Sequence, residues 1–441
     1  MTEIEEIESN YDVVSAKVEA LYIWPLIRQS LTFYFIGKKT GFSAKKRSRK
    51  KFQILKNSLY GFRHLFKLKR YDYLFFNNAD KRTAKVKDKN FDVFFDGWAD
   101  SLGQEKSLFI EWAIQKHFPL SLTYSKNVIS DLSFKLFSAL FTIFVDTKNI
   151  DKNVFITIKN DYDLDFRFEE ELKSKLGEIK FYRLLFRWIR PKKVFLISSF
   201  TKMPIVIAAH LENIHVYEAQ HGYIGDNHQS YKSTHNFGKL YYPDYLLSFG
   251  EYEKKNIPQN FIFKANQIKP IGSFYLEKVK DEFYDPMLEK LSNDYSTIFC
   301  VTLQTVKEIE LLDWITLQAK THPNWLFILK PRDSQYLNYT AYTALPNIAF
   351  YSGYNVYQIL KYSNFNITIY STTSVEAEFY GVKTLFFNID NLSKTYFNID
   401  KLYGALIDPL ENISEHHLNT EERDSSSYFV SNYVNNVANC L

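Results

Sequence analysis

Residues 366–387 read NITIYSTTSVEAEFYGVKTLFF, and this stretch decides the fold. An apolar, β-branched run ends at Tyr370, and four hydroxyl residues follow it. A short helical pattern then leads to Gly381 and to a second apolar run. A strand, a helix and another strand in succession form the βαβ unit of a parallel sheet. The stretch therefore predicts an α/β domain.

The same alternation extends through most of the chain. Short apolar runs, separated by helical or polar stretches, predict ten strands, at 71–76, 154–159, 193–198, 214–218, 245–249, 297–302, 325–330, 348–351, 366–370 and 384–388. A glycine turn at Gly272 separates the first five strands from the last five. The sequence thus predicts an α/β domain over residues 1–275, a second over 276–425, and a C-terminal helix within 426–441.

Composition narrows the class of protein. The chain has 441 residues, of which 46% are apolar and 17% aromatic, so it can bury a large core and is not a disordered protein. Two distant cysteines can form neither a disulfide framework nor a zinc site. The N-terminal stretch is acidic, and the longest apolar run, 132–145, contains a lysine. We therefore expect a cytoplasmic protein without a signal peptide or a membrane-spanning helix.

Positive charge is concentrated in one basic segment. Residues 37–70 contain 13 Lys and Arg, interleaved with aromatic and aliphatic residues, and no Asp or Glu. Such a mixture suits an anionic membrane surface, although a solvated helix face would have the same composition. Nucleic acid is disfavoured because the rest of the chain carries net negative charge. A peripheral position at the inner face of the membrane is thus one prediction for this protein.

The hydroxyl run indicates an anion site. Ser371, Thr372, Thr373 and Ser374 lie where the predicted helix begins, and free backbone N–H groups at such a place bind phosphate. Glu376 falls in the first helical turn, where its carboxylate can accept a sugar hydroxyl or stabilise the helix dipole. An ordinary capped helix is the structural alternative.

Two further strand-end loops carry polar residues. The loop after the sixth predicted strand supplies Gln304 and Thr305, and the loop after the seventh supplies Lys330 and Arg332. Ligands of open α/β sheets bind beyond the carboxyl ends of the strands. A lysine and an arginine at such an end can hold a diphosphate. These loops are therefore predicted to bind the donor together with the hydroxyl run.

A histidine turn is the candidate catalytic element. A predicted strand runs directly into Glu218, Gln220 and His221, and Gly222 permits a tight turn after them. An imidazole at a strand end titrates near neutral pH, as a general base should. Glu218 either orients His221 or is itself the base, while Gln220, Gly222 and His228 are candidate acceptor contacts. A structural histidine remains the alternative.

Two other loops carry polar residues that could contact a ligand. Asn78 and Arg82 follow the first predicted strand and are candidate acceptor contacts, with a plain connecting loop as the alternative. Residues 160–165 read NDYDLD and match the D-x-D pattern by which some sugar transferases hold a divalent cation. The pattern is short, and the charged residues after it are equally typical of a solvated helix start. We therefore predict no metal site.

The second half of the chain resembles the donor-binding half of GT-B glycosyltransferases. The residues that carry the resemblance are Gly272, Lys330-Pro331-Arg332, Ser371–Ser374, Glu376 and Gly381. In capsule and lipopolysaccharide transferases of this fold, a small-hydroxyl stretch before an E-A-x-x-x-G helix contacts the nucleotide and phosphate. The resemblance implies that Glu376 is the ribose partner. The family's Lys-Pro-His-Pro segment reads Lys-Pro-Arg-Asp here.

The histidine turn is similar to a Q-H-G or W-H-G turn of surface-polysaccharide and polyol-phosphate transferases. In those proteins the histidine lies in the N-terminal domain and faces the cleft. The two resemblances together imply two Rossmann-like domains facing a central cleft. They imply transfer of a sugar from a nucleotide-sugar to a glycan or lipid-linked glycan, without a metal or other cofactor. A CDP-linked polyol-phosphate transferase, a nucleotide-sugar epimerase and a noncatalytic carbohydrate-binding protein remain open alternatives.

Overall fold

The computed structural model describes most of the chain and divides it into two compact units. The described residues are 2–40, 51–113, 116–147, 150–225, 228–332, 334, 336–419 and 428–440. Residues 41–50 of the basic segment lie outside them. Unit 1 comprises Met1–His221, His228–Ser248 and Asn256–Lys269, and unit 2 comprises Gly222–Asn227, Phe249–Lys255 and Pro270–Leu441. Two short segments that precede the predicted boundary therefore pack with unit 2.

Unit 1 is built on a seven-stranded sheet. The strands of the whole unit are β1 (Lys17–Val18), β2 (Leu21–Tyr22), β3 (Tyr73–Asn78), β4 (Ala84–Val86), β5 (Lys89–Phe91), β6 (Ser107–Trp112), β7 (Val128–Ser130), β8 (Lys193–Leu196), β9 (His215–Ala219), β10 (Tyr245–Ser248) and β11 (Ile268–Pro270). Its helices are α1 (Glu3–Asn10), α2 (Trp24–Thr40), α3 (Lys51–Ser58), α4 (Asp96–Leu102), α5 (Asp131–Phe141), α6 (Asn153–Asp161), α7 (Phe168–Ile189) and α8 (Met203–Leu211). The sheet order is β11-β10-β9-β8-β3-β6-β7, while β1-β2 and β4-β5 are separate two-stranded pairs. From β10 to β7, neighbouring strands are parallel.

Unit 2 contains a six-stranded parallel sheet. Its strands are β12 (Thr297–Leu303), β13 (Trp325–Pro331), β14 (Ile348–Phe350), β15 (Phe365–Thr368), β16 (Lys383–Phe387) and β17 (Gly404–Ile407). Its helices are α9 (Tyr252–Lys255), α10 (Phe274–Glu282), α11 (Pro286–Asp294), α12 (Glu308–Thr321), α13 (Val356–Leu360), α14 (Thr373–Phe379), α15 (Leu392–Tyr396), α16 (Glu415–Leu418) and α17 (Tyr433–Cys440). The order β14-β13-β12-β15-β16-β17 is the doubly wound order 3-2-1-4-5-6. The predicted α/β class with two Rossmann-like sheets is thus confirmed.

Stacked aromatic rings cross both sheets. In unit 1, residues in register on five neighbouring strands stack at centroid distances of 4.8 to 5.2 Å, and they are Phe109, Phe75, Phe195, Tyr217 and Tyr245. In unit 2, Phe299 stacks on Phe327 at 4.8 Å and on Phe365 at 5.4 Å. Cross-strand aromatic pairs stabilise a sheet. All of these rings except the half-buried Tyr245 therefore belong to the core.

The predicted strand at 154–159 is wrong, because the structure forms helix α6 there. Phe155 and Ile158 are buried, whereas Ile156 is exposed. A strand buries every second residue, and burial three residues apart is helical. The β-branched residues of this segment misled the prediction, since packing on one side decides the conformation. The D-x-D pattern accordingly begins at the end of this helix, where Asp161 accepts a hydrogen bond of 2.7 Å from Tyr11.

Gly272 lies within unit 2 at a position that only glycine fits well. Its φ is +83°, and a Cβ there would lie 2.3 Å from the Val430 carbonyl oxygen. The turn after β11 thus depends on this glycine.

Among the described residues, no helix is both long and apolar enough to cross a bilayer.

Candidate functional site

The strand order of unit 2 places one site at its carboxyl edge. The order reverses between β12 and β15, which are hydrogen-bonded neighbours. A doubly wound sheet binds ligands at this switch point, outside the carboxyl ends of the strands. The loops after β12 and β15 flank the switch point, and the loop after β13 lies beside them. The predicted donor-binding residues belong to these loops or to the start of α14, except Lys330, which lies near the carboxyl end of β13.

Hydrogen bonds join the three loops. They run from Tyr370 N–H to Gln304 Oε1 (3.0 Å), between the Thr302 and Thr373 hydroxyls (2.9 Å), and from Arg332 N–H to the Leu303 carbonyl (3.1 Å). Gln304 therefore spans the switch point and holds the hydroxyl loop in place.

The hydroxyl run offers fewer free backbone donors than the sequence predicts. The Ser371 amide donates to the Thr368 hydroxyl, and the Thr373 amide donates to the Ser371 hydroxyl, each at 3.3 Å. The Ser374 amide donates to the Ser371 carbonyl at 3.1 Å. Thr372 has helical φ and ψ and its side chain caps no amide. The run therefore offers the partly exposed hydroxyls of residues 371–373 more than free amides. Ser374 Oγ is buried and has no partner among the described residues.

The two predicted cations differ in availability. Lys330 Nζ donates to the Tyr354 carbonyl oxygen, and burial lowers the Lys330 pKa. The Arg332 side chain is exposed and has no hydrogen bond or ion pair within the described part of the chain. Burial raises the pKa values of Tyr370 and Tyr396, and the nearby Arg332 charge opposes that rise. The two tyrosine rings lie 5.4 Å apart. Arg332 is therefore the cation that unit 2 presents at this edge.

Thr305 and Glu376 are held by neighbouring side chains. Thr305 has a φ of +64°, which is rare for a β-branched residue, and its amide donates to Glu308 Oε2 at 2.6 Å. Glu376 Oε1 accepts a hydrogen bond of 2.9 Å from the Tyr357 hydroxyl. The geometry thus fixes both residues at the edge of the predicted donor site, and their contact with a ligand stays a prediction.

Unit 1 has its own switch point, between β3 and β8. The loop after β8 contains Ser198, which adopts the left-handed conformation with φ +54° and ψ +59°. His221 follows the adjacent strand β9, and its Nε2 lies 3.2 Å from Ser198 Oγ. His221 Nδ1 is buried, and no described residue hydrogen-bonds to it. Sequence analysis missed Ser198, because its pairing with His221 depends on strand order.

The predicted titration of His221 near neutral pH differs from the structure. Burial lowers the His221 pKa, and the charges of Lys81, His228 and Lys202 lower it further, to about 3. Burial also lowers the Lys202 pKa, to about 8. The imidazole is therefore neutral across the physiological range, and one ring nitrogen carries a lone pair that can accept a proton.

Glu218 does not support His221 as predicted. Its Oε1 accepts hydrogen bonds from the Ser199 amide (3.0 Å) and the Tyr231 hydroxyl (2.8 Å), and its Oε2 has no partner in the part of the chain that the structure describes. The carboxyl is fully buried, and burial raises its pKa. Glu218 thus fixes the loop after β8, next to Ser198, and reaches His221 only through that loop.

The predicted acceptor contacts are dispersed. Arg82 has no exposed side-chain surface and is paired with Glu111 and Asp96, so its guanidinium is not presented to an acceptor. Gln220 is also buried. A Cβ at Gly222 would lie 3.2 Å from Thr372 Cγ2, so Gly222 packs against the hydroxyl run inside unit 2.

Asn78 and His228, like Gly222, have partly exposed surface. Asn78 ends β3, opposite Trp112 in the register with β6. The His228 ring lies 6.0 Å from Phe200 and 4.8 Å from Tyr231. Phe200 also contacts the His221 ring, at 6.3 Å. Their contact with an acceptor stays a prediction.

Stability is expected to fall as the pH is lowered from about 6.5 to about 4. Burial lowers the pKa values of His221 and His228, to about 3 and about 4. A lowered folded-state pKa gives stability that is complete above the unfolded value of 6.5 and is lost as the pH falls through the folded one. Urea denaturation at several pH values should show that the free energy of unfolding falls less between pH 6.5 and 4 in His228→Gln than in the wild type. His416→Gln, at an exposed position, should leave the fall unchanged, and an equal effect of both variants would contradict this assignment.

A groove of about 910 Å³ lies away from these residues, in unit 1. It runs past the amino ends of β9 and β10, where His215, Asp244 and Tyr245 line it. None of the predicted site residues borders this groove. Within the described residues, no group of three or more His, Cys, Asp or Glu side chains is arranged to hold a metal ion.

Comparisons with known proteins give distant structural likenesses. The sequence matches no protein-family model and no curated protein. The UDP complex of MnaA from S. aureus is similar with a TM-score of 0.47 and 11% identity, covering 83% of this chain and 94% of that one. The UDP-GlcNAc 2-epimerase of Neisseria meningitidis bound to UDP-GlcNAc has a TM-score of 0.46 and 12% identity, covering 83% and 98%. The lipopolysaccharide outer core galactosyltransferase WaaB, in its apo form, has a TM-score of 0.45 and 12% identity, covering 83% and 98%. These values are too low to assign a function, which must rest on the chain's own residues.

Proposed function

We propose that this protein is a glycosyltransferase that moves a sugar from a nucleotide-sugar donor to a hydroxyl of a glycan or lipid-linked glycan. The observation that carries the proposal is the convergence of three loops at the switch point of unit 2. These loops combine the exposed Arg332 guanidinium with the hydroxyls of residues 371–373. A guanidinium fork and neutral donors suit the diphosphate of such a donor. The likeness of these segments to surface-polysaccharide transferases supports the same substrate class.

The proposed base is the His221 imidazole. In this account Nε2–H donates to Ser198 Oγ, which leaves Nδ1, without a partner among the described residues, to accept the proton of the acceptor hydroxyl. The acceptor oxygen then forms the new bond to the anomeric carbon as the nucleoside diphosphate leaves with the electron pair of the broken bond. Ser198 is a positioning residue, because it fixes which ring nitrogen carries the hydrogen.

Thermal denaturation with nucleotides tests the proposal. UDP, CMP, CDP, GDP and dTDP are each added to the full chain, with and without Mg²⁺. A ligand that binds only the folded state stabilises it by about 2.7 kcal/mol at a hundredfold excess over Kd. We expect one nucleotide to raise the melting temperature, and to do so without Mg²⁺. A shift only with CMP or CDP would favour a polyol-phosphate or related donor, and no shift with any nucleotide would refute the proposal.

Arg332→Met should remove about half of that shift or more. The side chain is exposed, so its loss should not unfold the protein, and one charge-assisted contact with phosphate is worth about 1.5–3 kcal/mol. That corresponds to a Kd raised about tenfold or more. Lys290→Met removes an exposed cation from α11 of the same unit and is the matched control. A thermal shift as large in Arg332→Met as in the wild type would place the phosphates elsewhere.

A further inference from the structure

One face of unit 1 exposes large apolar side chains that its own core does not need. Phe144 is 73% exposed, Ile143 is 76% exposed and Phe66 is 80% exposed. Phe137, Leu140 and Trp188 are about half exposed. Together these six residues are called the apolar face below. Single exposed apolar residues are ordinary, but a cluster of them marks an interaction surface.

The apolar face is continuous over several helices. Helix α5 packs against α7 and α3, and the 3-10 helix Phe62–Arg70 packs against α7. Lys180 of α7 donates to the Phe144 carbonyl at 2.9 Å, and Lys69 Nζ lies 6.0 Å from the Trp188 ring. Lys180 and Trp188 are eight residues apart on α7 and share one side of that helix. The exposed groups therefore lie on one surface.

The inner sides of the same helices supply the buried residues of the core in this region. Phe134 of α5 and Phe181 of α7 are buried, with ring centroids 6.2 Å apart, and Leu68 of the 3-10 helix is buried in the same cluster. The outward residues thus contribute little to this core. Their exposure calls for a partner outside the unit.

Charge identifies the partner. Exposed lysines and arginines surround the apolar face, among them Lys67, Lys69, Arg70, Lys135 and Lys180. Between residues 51 and 70 there is no acidic residue, and between 131 and 146 the acidic residues are Asp131 and the exposed Asp146. Asp131 pairs with Lys135 at 3.3 Å. An apolar centre with a cationic surround complements a bilayer that contains anionic lipid, and a nucleic acid would not use the exposed aliphatic groups.

We propose that the apolar face docks on an anionic lipid bilayer, with Phe144 and its neighbours entering the headgroup region. This goes beyond the sugar-transfer proposal and does not depend on it. The basic segment predicted the kind of partner, whereas the face itself is formed mainly by α5, the turn after it and α7, which lie outside that segment.

Vesicle co-sedimentation of the full chain tests the proposal. Vesicles of equal parts phosphatidylglycerol and phosphatidylcholine are compared with phosphatidylcholine alone, at low and high salt. We expect binding to the anionic vesicles that weakens with salt. Phe144→Glu should lower the partition coefficient at least about tenfold, since it places a charge in the interface. Leu410→Glu makes the same change in charge at a residue of unit 2 that is 97% exposed, and it should lower binding less than about twofold.

Tryptophan fluorescence provides a second readout. Anionic vesicles should shift the emission of the wild type to shorter wavelength, and Trp188→Phe should remove most of that shift. Three results would overturn the proposal: no binding of wild type to anionic vesicles, equal losses in Phe144→Glu and Leu410→Glu, or a concentration-dependent dimer that Phe144→Glu disrupts in place of vesicle binding. The last would assign the face to a second copy of the chain. Nucleotide-induced thermal shifts on the same samples keep this test separate from that of sugar transfer.

Discussion

His221→Gln is expected to lower kcat by about 10²- to 10⁴-fold while leaving the nucleotide-induced thermal shift unchanged. Glutamine retains a hydrogen bond to Ser198 but has no nitrogen that can take up a proton. The measurement is release of nucleoside diphosphate from the donor that the thermal panel identifies. His416→Gln in unit 2, at an exposed position, should retain wild-type turnover.

The pH dependence separates this role from a purely structural one. Because the His221 pKa is about 3, this base stays unprotonated when the pH is lowered through 6.5. Its protonation should therefore not lower kcat/KM in that range. Ser198→Ala should lower kcat with little change in KM, because Ser198 positions the imidazole and holds no substrate. If His221→Gln turns over normally, another group is the base and the proposed mechanism is wrong.

The strands of both sheets could be predicted where burial on both faces makes an unbroken apolar run. β8 and β12 are examples, with no charged residue inside the buried part. β6 was not predicted, since Glu111 interrupts its run with a charge. That charge is tolerated because Arg82 neutralises it inside the fold. A local sequence pattern does not show that a distant residue will neutralise a buried charge.

The candidate sites could be predicted only one strand at a time. A polar residue directly after an apolar run marks the carboxyl end of a strand, and this signal found His221 and Arg332. Which ends are neighbours depends on strand order, and order follows from long-range pairing that local sequence does not encode. Ser198 precedes His221 by 23 residues and meets it only because β8 and β9 are adjacent.

The same reason explains the misassigned Arg82. As a charged residue in a loop after a strand, it has the sequence features of a ligand contact. The structure instead surrounds it with carboxylates of Glu111, Asp96 and Asp92, whose charges raise its pKa although burial lowers it. Its contacts show a role in holding the loops at the carboxyl edge of unit 1.

Arg82→Met is expected to destabilise the protein by about 3–5 kcal/mol, the cost of leaving a buried charge without its partner. Glu111 accepts from Arg82 Nε at 2.5 Å, and Asp96 accepts from Arg82 Nη1 at 3.1 Å. Neither carboxylate has access to water. Urea denaturation should show a lower midpoint with little change in slope.

An exposed ion pair supplies the control. Lys126 Nζ lies 2.8 Å from Glu105 Oε1, with more than half of each side chain exposed. Lys126→Met should cost less than about 1 kcal/mol, because water replaces the partner. Equal effects of the two methionine variants would show that burial does not determine the energetics of the Arg82 cluster.

A double variant tests whether the cost of Arg82→Met is truly the unpaired charge of Glu111. Burial raises the Glu111 pKa, but Arg82 and His117 lower it to about 2, so the carboxylate is ionised in the folded protein. Burial raises the Asp96 pKa to about 7, so Glu111 holds its negative charge more firmly than Asp96 does. Glu111→Gln removes the main unpaired charge. Arg82→Met with Glu111→Gln should therefore cost clearly less than the sum of the two single variants. Additive costs would mean that Arg82 acts through packing and its other hydrogen bonds.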